Sequence, residues 1–405
     1  MIQQRHFTEL PPLSLYVHLP WCVKKCPYCD FNSHEAKADI PEAAYIQAVL
    51  DDLTQELPDI WGRKLSSIFI GGGTPSLLSG DAIDTLMSGI RSLTNLAPNA
   101  EVTMEANPGT AEAEKFKAFR QSGINRLSIG VQSFDNTALK ALGRLHDAEE
   151  AIQAVAMAKD AGFDDFNLDL MFALPEQTID AAIKDVRQAM ALQPTHISCY
   201  ELTLEPNTLF ARFPPSVPDH ESKWGMQEAI IKELATRSYH RYEVSAYSKP
   251  KRESTHNSNY WQFGDYVGIG AGAHGKISFA NTGTITRRWK VKHPKTYMEK
   301  ANSAARIGGQ HDISFDDTAI EFFMNTFRLT QGFTLPLFQA HTGVSLTTWQ
   351  PVIEQAIENG LLQQEGLQLA PTKKGVNFLN DLLQMFLDDP AATKRYPIIP
   401  LIDGN

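Results

Sequence analysis

Apolar residues fall in short dense runs, separated by longer stretches in which they recur every three or four positions. The runs are "LSLYVHL" (13–19), "SSIFIGGG" (66–73), "EVTMEAN" (101–107), "RLSIGVQS" (126–133), "FNLDLMFAL" (166–174) and "HISCYELT" (196–203). They are too apolar on both faces for an open antiparallel sheet and predict strands covered on both sides. Between the first two, Tyr45, Val49, Leu53 and Leu57 repeat along one helical face, and after the second Ser79 is placed to cap a helix carrying Ile83, Leu86, Met87, Ile90 and Leu93. Six strands, each followed by a helix, predict a parallel α/β sheet with right-handed crossovers. A partial (β/α)6 barrel of the TIM type and an open doubly wound sheet both fit, and both gather ligands at the C-terminal strand ends.

Beyond residue 205 the alternation weakens. "PDHESKWGMQEAIIKELATRSY" predicts a helix, "YEVSAYS" a strand and "YVGIGAGAHG" a glycine-rich turn. From about residue 296 the pattern becomes short helices, and "IENGLLQQEGLQLAPTKKG" has the helix-then-hairpin order of a winged helix. The expected division is a core domain over 1–245, a connecting segment over 246–295 and a small, mainly helical, winged-helix-like domain over 296–390.

Composition narrows the class. Hydrophobic residues at 42% and charged residues at 21% describe an ordinary globular chain long enough for two domains. A net charge of -10 argues against nucleic acid as a general partner, and no basic recognition helix is evident. The basic run "RRWKVKHPK" (287–295) is expected to be solvated surface. No run approaches the ~20 apolar residues of a membrane span, and "MIQQRHFTEL" lacks the apolar centre of a signal peptide. A cytoplasmic setting follows, where clustered cysteines point to metal rather than disulfides.

Three of the four cysteines, Cys22, Cys26 and Cys29, stand in "HLPWCVKKCPYCDF" directly after the first strand. A structural zinc site would need a fourth ligand, from His18, His34 or Cys199. A [4Fe-4S] cluster on three cysteines leaves one iron open, and thiolate chemistry alone does not choose between the two. Cys199, within the predicted strand "HISCY", has the setting of a core residue. "GGGTP" (71–75), "EANPG" (105–109) and "GVQSF" (130–134) also follow predicted strands, so all should converge with the cysteines on one mouth.

The C-x3-C-x2-C spacing after a first strand, with Tyr28 before the last cysteine, resembles the radical S-adenosylmethionine (SAM) superfamily. The resemblance implies a [4Fe-4S] cluster on Cys22, Cys26 and Cys29, with SAM chelated at the open iron. It implies a SAM site formed by Tyr16, Tyr28, Gly72, Gly73, Thr74, Glu105, Gln132, Arg144 and Asp169. In that site Arg144 suits a carboxylate, Asp169 a ribose hydroxyl and the glycines a close backbone approach.

"SLYVHLPWCVKKCPYCDFNSH", "FIGGGTPSLL", "MEANPGT", "RLSIGVQSF", "FNLDLMFALP" and "EPNTLF" together resemble the oxygen-independent coproporphyrinogen oxidase branch, and within it the haem-chaperone family. The oxidases carry a further cysteine two places after the third, where this chain has Phe31, and a long N-terminal segment, where about a dozen residues precede the first strand. Both departures count against coproporphyrinogen III dehydrogenation, the alternative reading, and leave open whether the chain is an enzyme. "HNSNYW" (256–261) is similar to the HNxxYW motif that marks the chaperone family and implies haem binding by His256, Tyr260 and Trp261. "GIGAGAHG", with His274, resembles a family element near the SAM site. The implied partners are haem, acceptor haemoproteins of the respiratory chain and an electron donor, with peripheral membrane contact during delivery.

Overall fold

A computed structural model describes residues 5–36 and 39–387. The first four residues of the N-terminal stretch and the last three of the expected C-terminal domain, 388–390, therefore lie outside the described residues. Strands form at Leu13–Leu19, Lys64–Gly72, Asn95–Ala106, Arg126–Gln132, Phe166–Phe172 and His196–Glu201. Each pairs in parallel with the next, as the apolar runs predict. The helix Glu42–Ile60 buries Tyr45, Val49 and Leu53. The following helix is capped by the Ser79 side chain, which accepts the Ala82 amide at 3.2 Å.

The sheet is larger than the six runs. Residues 246–295 are not a connector. Asp265–Ile269 pairs in parallel with the first strand, and His274–Phe279, Thr284–Lys290 and Ile307–Asp312 follow as antiparallel neighbours. Ala246–Ser248 and His240–Arg241 extend the opposite edge, giving one sheet of 12 strands that does not close on itself. The extension escapes the period-two pattern because it alternates charged and aromatic residues with few apolar ones, as in "TITRRWK".

The run 287–295 is likewise not simply solvated. Lys290 is 2% exposed and bonds Asp52 and Glu56, both at 2.6 Å, while Arg288 reaches Glu56 and Asp59. Lys292, His293 and Lys295 do face solvent.

One helix shapes the sheet. "HNSNYW" is most of the helix Thr255–Trp261, capped by Ser254. Its Asn259 bonds Ser14 on the first strand and its His256 reaches Ser67 on the second. The helix start binds Glu101 on the third strand, and Asn257 meets Tyr242, whose hydroxyl bonds His196 on the sixth. A seven-residue helix can touch strands that far apart only if the sheet curls around it, so the parallel run is a partial barrel plugged at its N-terminal end.

A second core, rich in phenylalanine, lies around Phe322, Phe323, Phe327 and Phe338 and includes Phe263 and Ile285 from the extension. It belongs to helices from Phe315 to Leu387 and a three-stranded sheet whose hairpin, Leu362–Glu365 with Gln368–Pro371, follows the helix Gln350–Glu358. That order is the winged-helix pattern read from the sequence. Among the described residues no helix is long and apolar enough to cross a membrane.

Candidate cofactor site at the strand ends

The cysteine loop leaves the first strand at Leu19 and crosses the mouth of the barrel. Cys22, Cys26 and Cys29 are all half-buried and free. Ser33 lies beside both Cys22 and Cys29, with its hydroxyl 3.9 Å from the Cys29 sulfur, and Thr74 lies beside Cys22. Burial pushes the Cys22 thiol up and the Cys29 thiol to about 11. Among the described residues no set of three or more His, Cys, Asp or Glu side chains is arranged as a metal cage, these thiols included.

The donor chemistry nevertheless fits a thiophilic cluster. Three thiols share one loop, and the Arg144 guanidinium donates to the Cys26 sulfur at 3.7 Å. The guanidinium thus sets a charged donor against the sulfur.

Backbone packing explains the glycines. Gly72 has φ +116, a conformation that strains other residues, and a Cβ there would strike the His18 ring. A Cβ at Gly73 would run into the Trp21 backbone, to which Thr74 donates at 2.7 Å. This close join fastens the glycine strand end to the cysteine loop.

Two carboxyls sit beneath it. Glu105 accepts the Gly72 amide at 3.0 Å, and burial, with Asp169 nearby, pushes its pKa up to about 8. Asp169 is also raised by burial, although Ser128 and Asn167 donate to it at 2.9 and 2.7 Å. Buried carboxyls facing one lumen suit a ligand that brings a cation and hydroxyls. Arg144 donates to the Gly130 carbonyl at 2.9 Å, and its buried Nε has no partner among the described residues, a donor free for a carboxylate. Gln132 ends its strand beside Gly130. Tyr16 bonds His18 at 2.8 Å and stacks on Phe69, while Tyr28 packs on Phe210 by Cys26.

Several supporting residues are not visible as such in the sequence. Asn32 donates to the carbonyls of Ala271 and Lys292, both at 2.9 Å, and its own carbonyl meets His18 at 3.0 Å. It thereby ties the cysteine loop to the glycine-rich turn. Of the two histidines weighed as a fourth metal ligand, His18 is bonded through both ring nitrogens, to Tyr16 and to the Asn32 carbonyl, while His34 sits edge-on to His293 at 5.6 Å with its Nε2 unpartnered among the described residues. Cys199 is 5% exposed in the core.

The HNSNYW residues do not join this mouth. His256 is 3% exposed and lies nearly parallel to Phe69, with ring centroids 5.0 Å apart. Its Nδ1 is 3.3 Å from Ser67 Oγ, its Nε2 has no partner among the described residues, and burial lowers its pKa to about 3. Trp261 packs under the Arg328 guanidinium at 4.2 Å and is 7% exposed. Tyr260 lies between His256 and Tyr266, edge-on to both at 4.5 Å.

The partial barrel, with its cysteine loop and glycine join at the strand ends, defines a protein of the radical SAM class. A sequence model of the Radical SAM superfamily matches residues 16–189, and one of the HemN C-terminal domain matches 313–378. The solved coproporphyrinogen III oxidase (HemN) of Escherichia coli superposes with a TM-score of 0.79 at 22% identity, covering 93% of this chain and 90% of that one, a likeness of fold. Closer in sequence is Heme chaperone HemW of Escherichia coli strain K12, 48% identical over 94% of this chain and 99% of that protein. Heme chaperone HemW of Bacillus subtilis is 32% identical over 93% of this chain and 99% of that protein. The chain belongs to the HemW family.

Proposed function

We propose that the chain is a haem chaperone, which binds haem and a SAM-chelating [4Fe-4S] cluster and passes haem to acceptor haemoproteins of the respiratory chain. The observation that carries this reading is the 48% identity to a protein named Heme chaperone HemW over nearly the full length of both chains. Cys22, Cys26 and Cys29 would hold the cluster, which when bound supplies one-electron chemistry.

For SAM, Arg144 meets the carboxylate, while Glu105 and the backbone of Gly72, Gly73 and Thr74 receive the amino group. Asp169 takes the ribose hydroxyls, and Tyr16, Tyr28 and Gln132 wall the site. The HNSNYW residues His256, Tyr260 and Trp261 support haem binding. The chaperone works in the cytoplasm with peripheral membrane contact, and an electron donor serves the cluster.

The test loads the cluster-reconstituted chain with haem and mixes it anaerobically with an apo-haemoprotein of the respiratory chain. The reading expects saturable haem binding and transfer, with no carboxyl loss from coproporphyrinogen III. Decarboxylation without haem transfer would replace it with the oxidase reading, against which Phe31 already stands at the fourth-cysteine position.

A further inference from the structure

The sheet face that holds the HNSNYW helix continues past the first strand onto the antiparallel extension. Register fixes what that face carries. Tyr266, Lys276, Arg287 and His311 form one cross-strand row, and His274, Trp289 and Gly309 the next.

Trp289 lies over Gly309, where a Cβ would collide with the indole, so glycine lets the ring rest flat on the sheet. His274 is exposed beside it, 6.0 Å away and within 21° of parallel. His311, exposed on the edge strand, stands 6.0 Å from the indole on the other side but is tilted by 59°. Both imidazoles are exposed, and among the described residues neither has a hydrogen-bond partner.

A planar macrocycle gains most by stacking on flat, parallel rings. An axial imidazole must instead stand steeply to the macrocycle, because its nitrogen lone pair lies in its own ring plane. Trp289 and His274 meet the first requirement, and His311 is the ring turned toward the second. Charge on the shelf also fits. Arg287 is engaged by Glu321 at 2.6 Å and by the Tyr266 hydroxyl at 3.2 Å. Lys292, exposed and close enough to act on His274, is the cation placed for a carboxylate on the ligand's rim.

We propose that haem docks on this shelf, stacked on Trp289 and His274 and ligated at iron by His311. The proposal deepens the haem-chaperone reading and rests on it. It also gives the buried motif a role. Tyr260 packs on Tyr266, whose hydroxyl receives Arg287, and Arg287 is the cross-strand neighbour of His311. His256 and Tyr260 are thus positioning residues beneath the shelf.

The test is an anaerobic titration of the full chain with ferric haem, followed by absorbance and electron paramagnetic resonance, with iron-free protoporphyrin IX in parallel. His311→Ala should weaken haem binding by about tenfold or more and lose the axial-imidazole signature, yet leave protoporphyrin affinity unchanged. Trp289→Leu should weaken both ligands. His256→Ala should lower affinity for both while keeping the imidazole signature. A His311→Ala protein that binds haem with wild-type affinity and spectrum overturns the proposal and leaves the chaperone reading standing, as does loss of the signature in His256→Ala alone. No saturable haem binding by the wild type defeats both.

Discussion

The Glu105 carboxyl accepts the backbone amide of Gly72 at 3.0 Å, so the third strand holds the glycine turn of the second. That hydrogen bond favours the ionised form, but burial and Asp169 outweigh it and raise the pKa to about 8. An acid whose folded pKa is raised stabilises the protonated native state. As pH climbs from the unfolded value toward 8 the unfolded chain ionises first, and native stability falls; above 8 both states are ionised and the loss is complete. Glu105→Gln removes this dependence. In the ligand-free protein its melting temperature should exceed that of the wild type by a margin that widens from pH 6 to 8 and then levels, at roughly 3–6 °C. A margin that is flat or shrinks over that range contradicts the assignment.

The cysteines divide into three at the mouth and one in the core. After anaerobic reconstitution, Cys26→Ser should lose most of the iron and the cluster absorbance. Cys199→Ser should keep both, with a stability loss of about 1 kcal/mol at most from the swap in the core. Equal iron content in the two variants would refute the ligand assignment.

Asp52 is fully buried yet bonds Lys290 at 2.6 Å, Arg306 at 2.9 Å, Tyr297 at 2.7 Å and the Gly270 amide at 3.3 Å. With Glu56 it balances two buried cations. Asp52→Asn would leave a positive charge uncompensated, which costs about 3–5 kcal/mol. The Gly270 turn, to which Asn32 and the cysteine loop are tied, keeps its bonds to the Tyr297 and Tyr45 hydroxyls in that variant. Urea unfolding should show the full loss. A change below about 1 kcal/mol would mean that water or a rearranged partner relieves the charge.

Legibility tracked how local the physical cause is. The six central strands were readable because burial on both faces leaves a continuous apolar run. The strand at 284–290 was not, since Arg288 and Lys290 point at acids on a helix more than 200 residues away. On that helix, Asp52 and Glu56 are both buried.

The sequence by itself determined the elements whose cause lies within a few residues: the cysteine spacing, the Ser79 cap, the core strands and the glycines that the strand ends require. It also placed the cysteine, GGGTP, EANPG and GVQSF motifs at the ends of parallel strands, and so at one mouth. Only the tertiary structure decided where HNSNYW goes. The motif, whose resemblance implies haem binding, forms a helix that plugs the far end of the barrel. A helix of seven residues has little stability of its own. Its hydrogen bonds to Ser14, Ser67 and Glu101 on three strands hold it there, and no local pattern encodes partners so distant.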